Sequence, residues 1–109
     1  MIDWAKVITK KEMDDAEFKR KHIHLTSLIQ TALDAFARSG GYDSLLSLCT
    51  YATSSVPKFQ IEGQYGVELR DQCWTTGYAV LAEIAAGVRD WPTDEEALAM
   101  MPEMAWPAA

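Results

Sequence analysis

The stretch that most constrains this chain is Pro57 to Trp91, PKFQIEGQYGVELRDQCWTTGYAVLAEIAAGVRDW. Its apolar residues recur at helical spacing. Val67, Trp74, Tyr78, Leu81, Ala85 and Val88 form one stripe, and Leu69, Cys73, Val80 and Ile84 form a second beside it. Two adjacent stripes make a face broader than a coiled-coil seam, as expected of a helix buried against two neighbours. Glu68, Asp71, Gln72, Thr75, Glu83 and Arg89 fall mostly off that face. Pro57 suits a first helical turn. Gly87 is a stop signal, and Pro92 ends a helix by the residue before it. Gly63 and Gly66 each cost about 1 kcal/mol relative to alanine inside a helix. Three residues apart, they also let a neighbouring backbone come close. The stretch reads as one helix over 57–88 with a weak first half. The alternative is a turn over 57–63 with the helix proper starting near Tyr65.

A second long helix precedes it. Thr9-Lys10-Lys11-Glu12 fits a capping box. Residues 1–8, MIDWAKVI, then read as an extended leader anchored by Trp4, and the helix as 10–39. Phe18, His22, Leu25, Ile29, Ala32 and Phe36 alternate spacings of four and three, a heptad-like seam that Leu28, Leu33 and Ala35 widen in its second half. Gly40-Gly41 ends the helix, since glycine takes the left-handed conformation at low cost. A helix of about 30 residues is about 45 Å long, more than the diameter of a compact domain of this size. Its first half, EMDDAEFKRKH, is highly charged and poorly apolar. That half either projects or lies against another chain, or it is simply a solvated helix end.

The remaining elements are short. Asp43 or Ser44 can cap a helix over 44–54, with Leu45, Leu46, Leu48, Cys49 and Ala52 inward. Thr93-Asp94-Glu95-Glu96 is a second capping box, opening a helix over 94–101 that Pro102 stops. The tail PEMAWPAA is irregular, with Trp106 either tucked onto the helices or exposed as an anchor for a partner. The expected fold is all-α: a single domain over 1–109, with three main helices, a short C-terminal helix and a Trp/Pro tail. Helices 1 and 3 should lie as antiparallel or crossing neighbours with helix 2 wedged against both.

At 109 residues one domain is expected, and 49% hydrophobic residues with four tryptophans argue against disorder. No apolar run approaches a membrane span and no signal peptide opens the chain, so a cytoplasmic protein is expected, without a membrane partner. Net charge is −6, unevenly spread: residues 1–22 carry six basic and five acidic groups, residues 60–109 two basic groups (Arg70 and Arg89) against nine acidic ones. An acidic domain repels phosphate backbones, which disfavours nucleic acid.

Candidate chemistry is sparse. His22 and His24 point about 200° apart on a helix and cannot share a metal ion. Cys49 and Cys73 lack the paired spacing of a zinc or redox motif and read as reduced, buried residues. Ser54 and Ser55 have no glycine-rich elbow. Gly63-Gln64-Tyr65-Gly66 lacks the lysine of a phosphate loop. The acids of the central helix have no partner base. The reading is of a non-enzyme without metal or cofactor. Aromatics and methionine in the second half exceed what a thin core needs, and such residues are enriched at protein interfaces. Capping the ends of the bundle would also use them. The candidate partner-binding residues are Phe18, His22, Leu25, Trp91, Met104 and Trp106.

From Gly41 to Pro107 a pattern is visible: GYDSLLSLCTYATSSVPKFQIEGQ, then RDQCW and YAVLAEIAAGVRDWPT, then MPEMAWP. It resembles a segment of small proteins, and of C-terminal parts of larger ones, encoded by tailed phages and prophages, often near tail-fibre genes. The resemblance covers about two-thirds of the chain. The chain departs from it at Leu69, where a tryptophan is usual before Arg70-Asp71, and at Trp91, where a small or β-branched residue is usual before Pro92. The resemblance implies a bacteriophage tail or tail-fibre-associated structural or assembly protein, chaperone-like, working by protein–protein contact in the host cytoplasm or in the virion tail. Its partner would be a tail component or a second copy of itself. It transfers no catalytic residue. Within it, Tyr42 and Asp43 would set the turn into helix 2, and Arg70 would stack on Trp74 beside Asp71. A different class fits the charge alone: a phage-encoded acidic inhibitor of a host protein that mimics nucleic acid. A mimic should lose affinity steeply with salt, an apolar assembly contact hardly at all. A DNA-binding regulator is the third reading, for which the acidic balance is poor support.

Overall fold

The computed structural model describes the backbone of residues 4–108 and the side chains of residues 14–108. The elements in order are α1 (Trp4–Ser39), α2 (Leu45–Thr50) continued by a 3₁₀ turn (Tyr51–Thr53), α3 (Pro57–Ala85) and α4 (Asp94–Met100). All are helical, as the periodicity requires.

Helix α1 begins earlier than its capping signal. The backbone is already helical from Trp4, so residues 4–8 are not an extended leader and Thr9 lies inside the helix. Nothing in MIDWAKVI breaks a helix, and a Thr-x-x-Glu pattern caps only where the chain before it turns away. At the other end the glycine signal holds. Gly41 sits at φ 93°, with Tyr42 N donating to Ala37 O (3.1 Å) and Gly41 N to Arg38 O (3.0 Å). These two bonds are a Schellman motif. Gly87 (φ 76°) ends the third helix likewise, through Val88 N to Glu83 O and Gly87 N to Ile84 O. That stop places Val88 outside the helix.

The core is one line of contacts along antiparallel α1 and α3, with α2 wedged between them. Leu25, Ile29, Leu33 and Ala37 of α1 meet Leu69, Cys73, Val80 and Leu81 of α3 and Leu45 and Leu48 of α2. Each buried leucine or isoleucine contributes roughly 1.5–3 kcal/mol of transfer free energy. On α3 the second stripe supplies most of the buried line, Leu69, Cys73 and Val80, and the first adds only Leu81. The first runs one residue out of step, about 100° round the helix, so Tyr78 (61% exposed) and Val88 (73%) face outward and Ala85 is exposed. The line the core uses is completed by glycines: Gly63, Gly66 and Gly77 are all buried. A Cβ on Gly63 would strike the backbone of Tyr51 and Ala52, and one on Gly66 the Leu48 side chain. The missing Cβ atoms let α2 and the 3₁₀ turn lie against α3.

Helix α2 is capped by Ser44, whose Oγ accepts from Ser47 N (3.2 Å), and by Asp34 of α1, whose carboxylate accepts from Leu45 N (3.0 Å). Leu46 is not inward: at 75% exposure it lies on the solvent side of a helix that has room to bury only Leu45 and Leu48. Ala35 of α1 is exposed as well. Helix α4 opens with the complete capping box expected at Thr93 and Glu96. Arg70 is clasped by its neighbour Asp71 (3.0 and 3.1 Å) rather than stacked on Trp74, whose ring lies 5.9 Å from that of Tyr78. The molecule is a rod of 72 × 22 × 20 Å with a radius of gyration of 18.7 Å, against about 13 Å for a compact chain of this length.

Candidate protein-interaction site

Where α1 leaves the body, Trp91 is set against it. The Gly87 turn reverses the chain after α3. Arg89 then holds the irregular segment that follows, its guanidinium reaching Glu83 (3.4 Å) and the Met100 sulfur (3.7 Å). Pro92 and the Thr93 cap start α4, whose Ala97 is buried at 1% exposure against α1. His24 of α1 donates through Nε2 to Asp94 (2.8 Å) and ties the start of α4 to α1. Trp91, held between these anchors, meets Phe18 edge to face at 5.2 Å, and Phe18 meets His22 at 6.3 Å.

Two recesses flank this aromatic step. One, about 430 Å³, runs between α1 and α4, with Arg20, Lys21 and the His24–Asp94 pair on its walls over a floor of Leu25, Trp91 and Pro92. The other, about 270 Å³, is bounded by Asp14, Glu17, Phe18, Lys21 and Trp91. Glu17 and Lys21 pair across one turn at 3.1 Å. Residues 14–20 are exposed.

The other end of the rod carries an aromatic corner. Trp106 stacks on Phe36 at 4.3 Å, faces Tyr42 at 6.0 Å and donates through Nε1 to Ser39 Oγ (3.0 Å). The tail is pinned by Tyr65, whose hydroxyl accepts from Ala105 N (3.0 Å) and donates to Glu103 O (3.3 Å). Tyr42 donates to Glu62 (3.0 Å). Burial first, then that hydrogen bond and the Glu62 charge, push the phenol up to about 12. Tyr42 of the YDS run, Ala52 of YATS, Glu62 and Gly63 of EGQ and Trp106 of the closing motif therefore meet here, as determinants of the fold.

The six residues singled out in the sequence divide between the two ends. Phe18, His22, Leu25 and Trp91 come together at the α1 step, with Leu25 buried at 5% exposure beneath it. Trp106 and Met104 lie half-buried, with Trp106 tucked onto the helices. The sequence shows Lys19-Arg20-Lys21 only as a short basic cluster balanced by nearby acids, and gives no sign of the groove it borders or of the Asp34 cap. That cap is a contact across 11 residues with no local signature. Cys49 and Cys73 are free thiols, and burial pushes both up, away from the thiolate a nucleophile needs. Among the described residues no cluster of three His, Cys, Asp or Glu is placed to hold a metal, and no helix is long and apolar enough to cross a membrane. No protein family, curated protein or solved structure matches this chain.

Proposed function

We propose that this chain is a structural or assembly protein associated with a bacteriophage tail or tail fibre, working by protein–protein contact. The observation that carries the contact is the α1 step. A long helix passes its own body at Phe18 and Trp91, with aromatic edges and charged flanks turned to solvent. The phage setting comes from the resemblance over Gly41–Pro107, whose motif residues serve the fold and leave the α1 end to act. Co-expression with a tail-fibre polypeptide from a phage carrying this gene tests the reading. The full chain should co-elute with the fibre or raise its soluble yield, and Phe18→Glu should abolish this while leaving the circular dichroism spectrum unchanged. A full chain that neither co-elutes nor raises the yield sinks it.

One observation favours the acidic-inhibitor reading as the second choice. Both bases of residues 60–109 are engaged within the chain, Arg70 by Asp71 and Arg89 by Glu83, which leaves Glu68, Asp90, Glu95 and Glu103 exposed without a basic partner among the described residues. Capture of a basic host protein that is lost between low and high salt would select it.

A further inference from the structure

We propose that the partner of α1 is a second copy of this chain, paired antiparallel about Phe18 and gripping it through Asp15, Lys19 and His22. This rests on the reading of α1 as the contact element and names its occupant. The charges around Phe18 are ordered: Asp14, Asp15 and Glu17 precede it, and Lys19, Arg20 and Lys21 follow, with His22 next as a further hydrogen-bonding side chain. On a helix, residues three and four apart share a face. Trp91 covers the flank of Phe18 that carries Asp14, Glu17 and Lys21. On the opposite flank Asp15 and Lys19 are exposed and His22 is half-buried against the edge of Phe18. Asp15 and Lys19 are one turn apart and exposed, yet among the described residues they form no ion pair, while Glu17 and Lys21 at the same spacing do.

A two-fold axis beside Phe18 uses this pattern completely. Two antiparallel copies place the Asp15 of each against the Lys19 and His22 of the other, with Phe18 at the centre, 37% exposed, meeting its own copy. Parallel pairing would set Asp15 against Asp15 and Lys19 against Lys19, which is repulsive. The antiparallel register is therefore selected by charge, as in pairs of helices whose flanking residues choose orientation. The dimer would also cover the part of α1 that its own chain leaves bare, where an isolated helix is marginal in water.

Light scattering of the full chain, with Asp15→Lys, Lys19→Asp and the double variant Asp15→Lys/Lys19→Asp, tests the pairing. Both positions changed in the test are exposed, and circular dichroism verifies that each variant folds. The wild type should be a dimer at low salt. Each single variant should weaken dimerisation at least tenfold, the double variant should restore it, and the two single variants should dimerise when mixed. A monomeric wild type, single variants as dimeric as the wild type, or a double variant that stays monomeric would each overturn the proposal. Its failure is separable from failure of the functional reading: a monomeric wild type that still co-elutes with fibre protein removes the second copy but keeps the contact.

Discussion

The indole of Trp106 lies directly over Gly40, so closely that a Cβ on that glycine would overlap the ring. The tail of the chain thereby closes the end of α1 through a residue that has no side chain. Gly40→Ala should displace the indole, and Trp106→Ala should remove it. For a half-buried tryptophan each should cost about 2 kcal/mol, below the 3–5 typical of a fully buried one. Because both changes undo one contact, the double variant should cost clearly less than the sum. Urea denaturation of the four proteins gives the cycle, and a red shift of tryptophan emission in Gly40→Ala would report the displaced ring.

The buried glycines of α3 differ in what they face, and alanine should separate them. At Gly63 the added Cβ meets backbone, the carbonyl carbon of Tyr51 and the amide of Ala52, which cannot move without shifting the whole 3₁₀ turn. At Gly77 it meets only the tip of Ile29, at 2.8 Å, which a rotamer change relieves. Gly63→Ala should cost about 3 kcal/mol, near the upper range of overpacking. Gly77→Ala should lie within about 1 kcal/mol of the parent, since helix propensity returns about 1 kcal/mol. Thermal or urea unfolding of both variants decides the order.

These glycines also mark where sequence reading fell short. Three caps were legible because they are local: Gly40-Gly41, Ser44 and the Thr93 box act within a few residues of themselves, whereas the equally local Thr9 box lies inside α1 and the Asp34 cap reaches across 11 residues. The all-α class was legible from period alone. The buried line of α3 was only half legible, because hydropathy credits Tyr78 and Val88 and gives nothing to Gly63, Gly66 and Gly77. At the α1 step, Phe18, His22, Leu25 and Trp91 stood out individually as aromatic or seam residues. That Trp91 would reach Phe18 depends on the turn at Gly87 and on Ala97 seating α4, neither of which has a signature at Phe18. The charge order around Phe18 was in plain view, but its meaning needed the knowledge of which flank Trp91 covers.

Tyr42 gives the fold a sensitivity to alkali. Its phenol is raised from 10.0 to about 12 by burial and by the Glu62 carboxylate it donates to. A group whose folded value is raised stabilises fully below its unfolded value and loses that contribution as pH climbs through the folded one. The wild type should therefore lose stability between pH 10 and about 12 more steeply than Tyr42→Phe, which cannot ionise there. Urea midpoints across that range check the difference, and parallel curves would show that Tyr42 does not carry it.

The Thr93 cap links stability to the interaction site. Thr93 Oγ1 accepts from Glu96 N at 3.1 Å and the Glu96 carboxylate accepts from Thr93 N at 3.2 Å, which holds the Glu96 carboxyl below its ordinary value. A lowered carboxyl stabilises above its unfolded value and loses that contribution as pH falls through the folded one, so α4 should loosen in acid below about pH 4.5. Thr93→Ala should cost about 1 kcal/mol at neutral pH. The loss should be local, because α4 touches the core mainly through Ala97. Hydrogen exchange should speed at the α4 amides and leave α3 protected. Since α4 and Pro92 together hold Trp91 against Phe18, the same variant should weaken whatever binds the α1 step. If binding survives while α4 exchanges freely, the step is held by α1 and Arg89 alone.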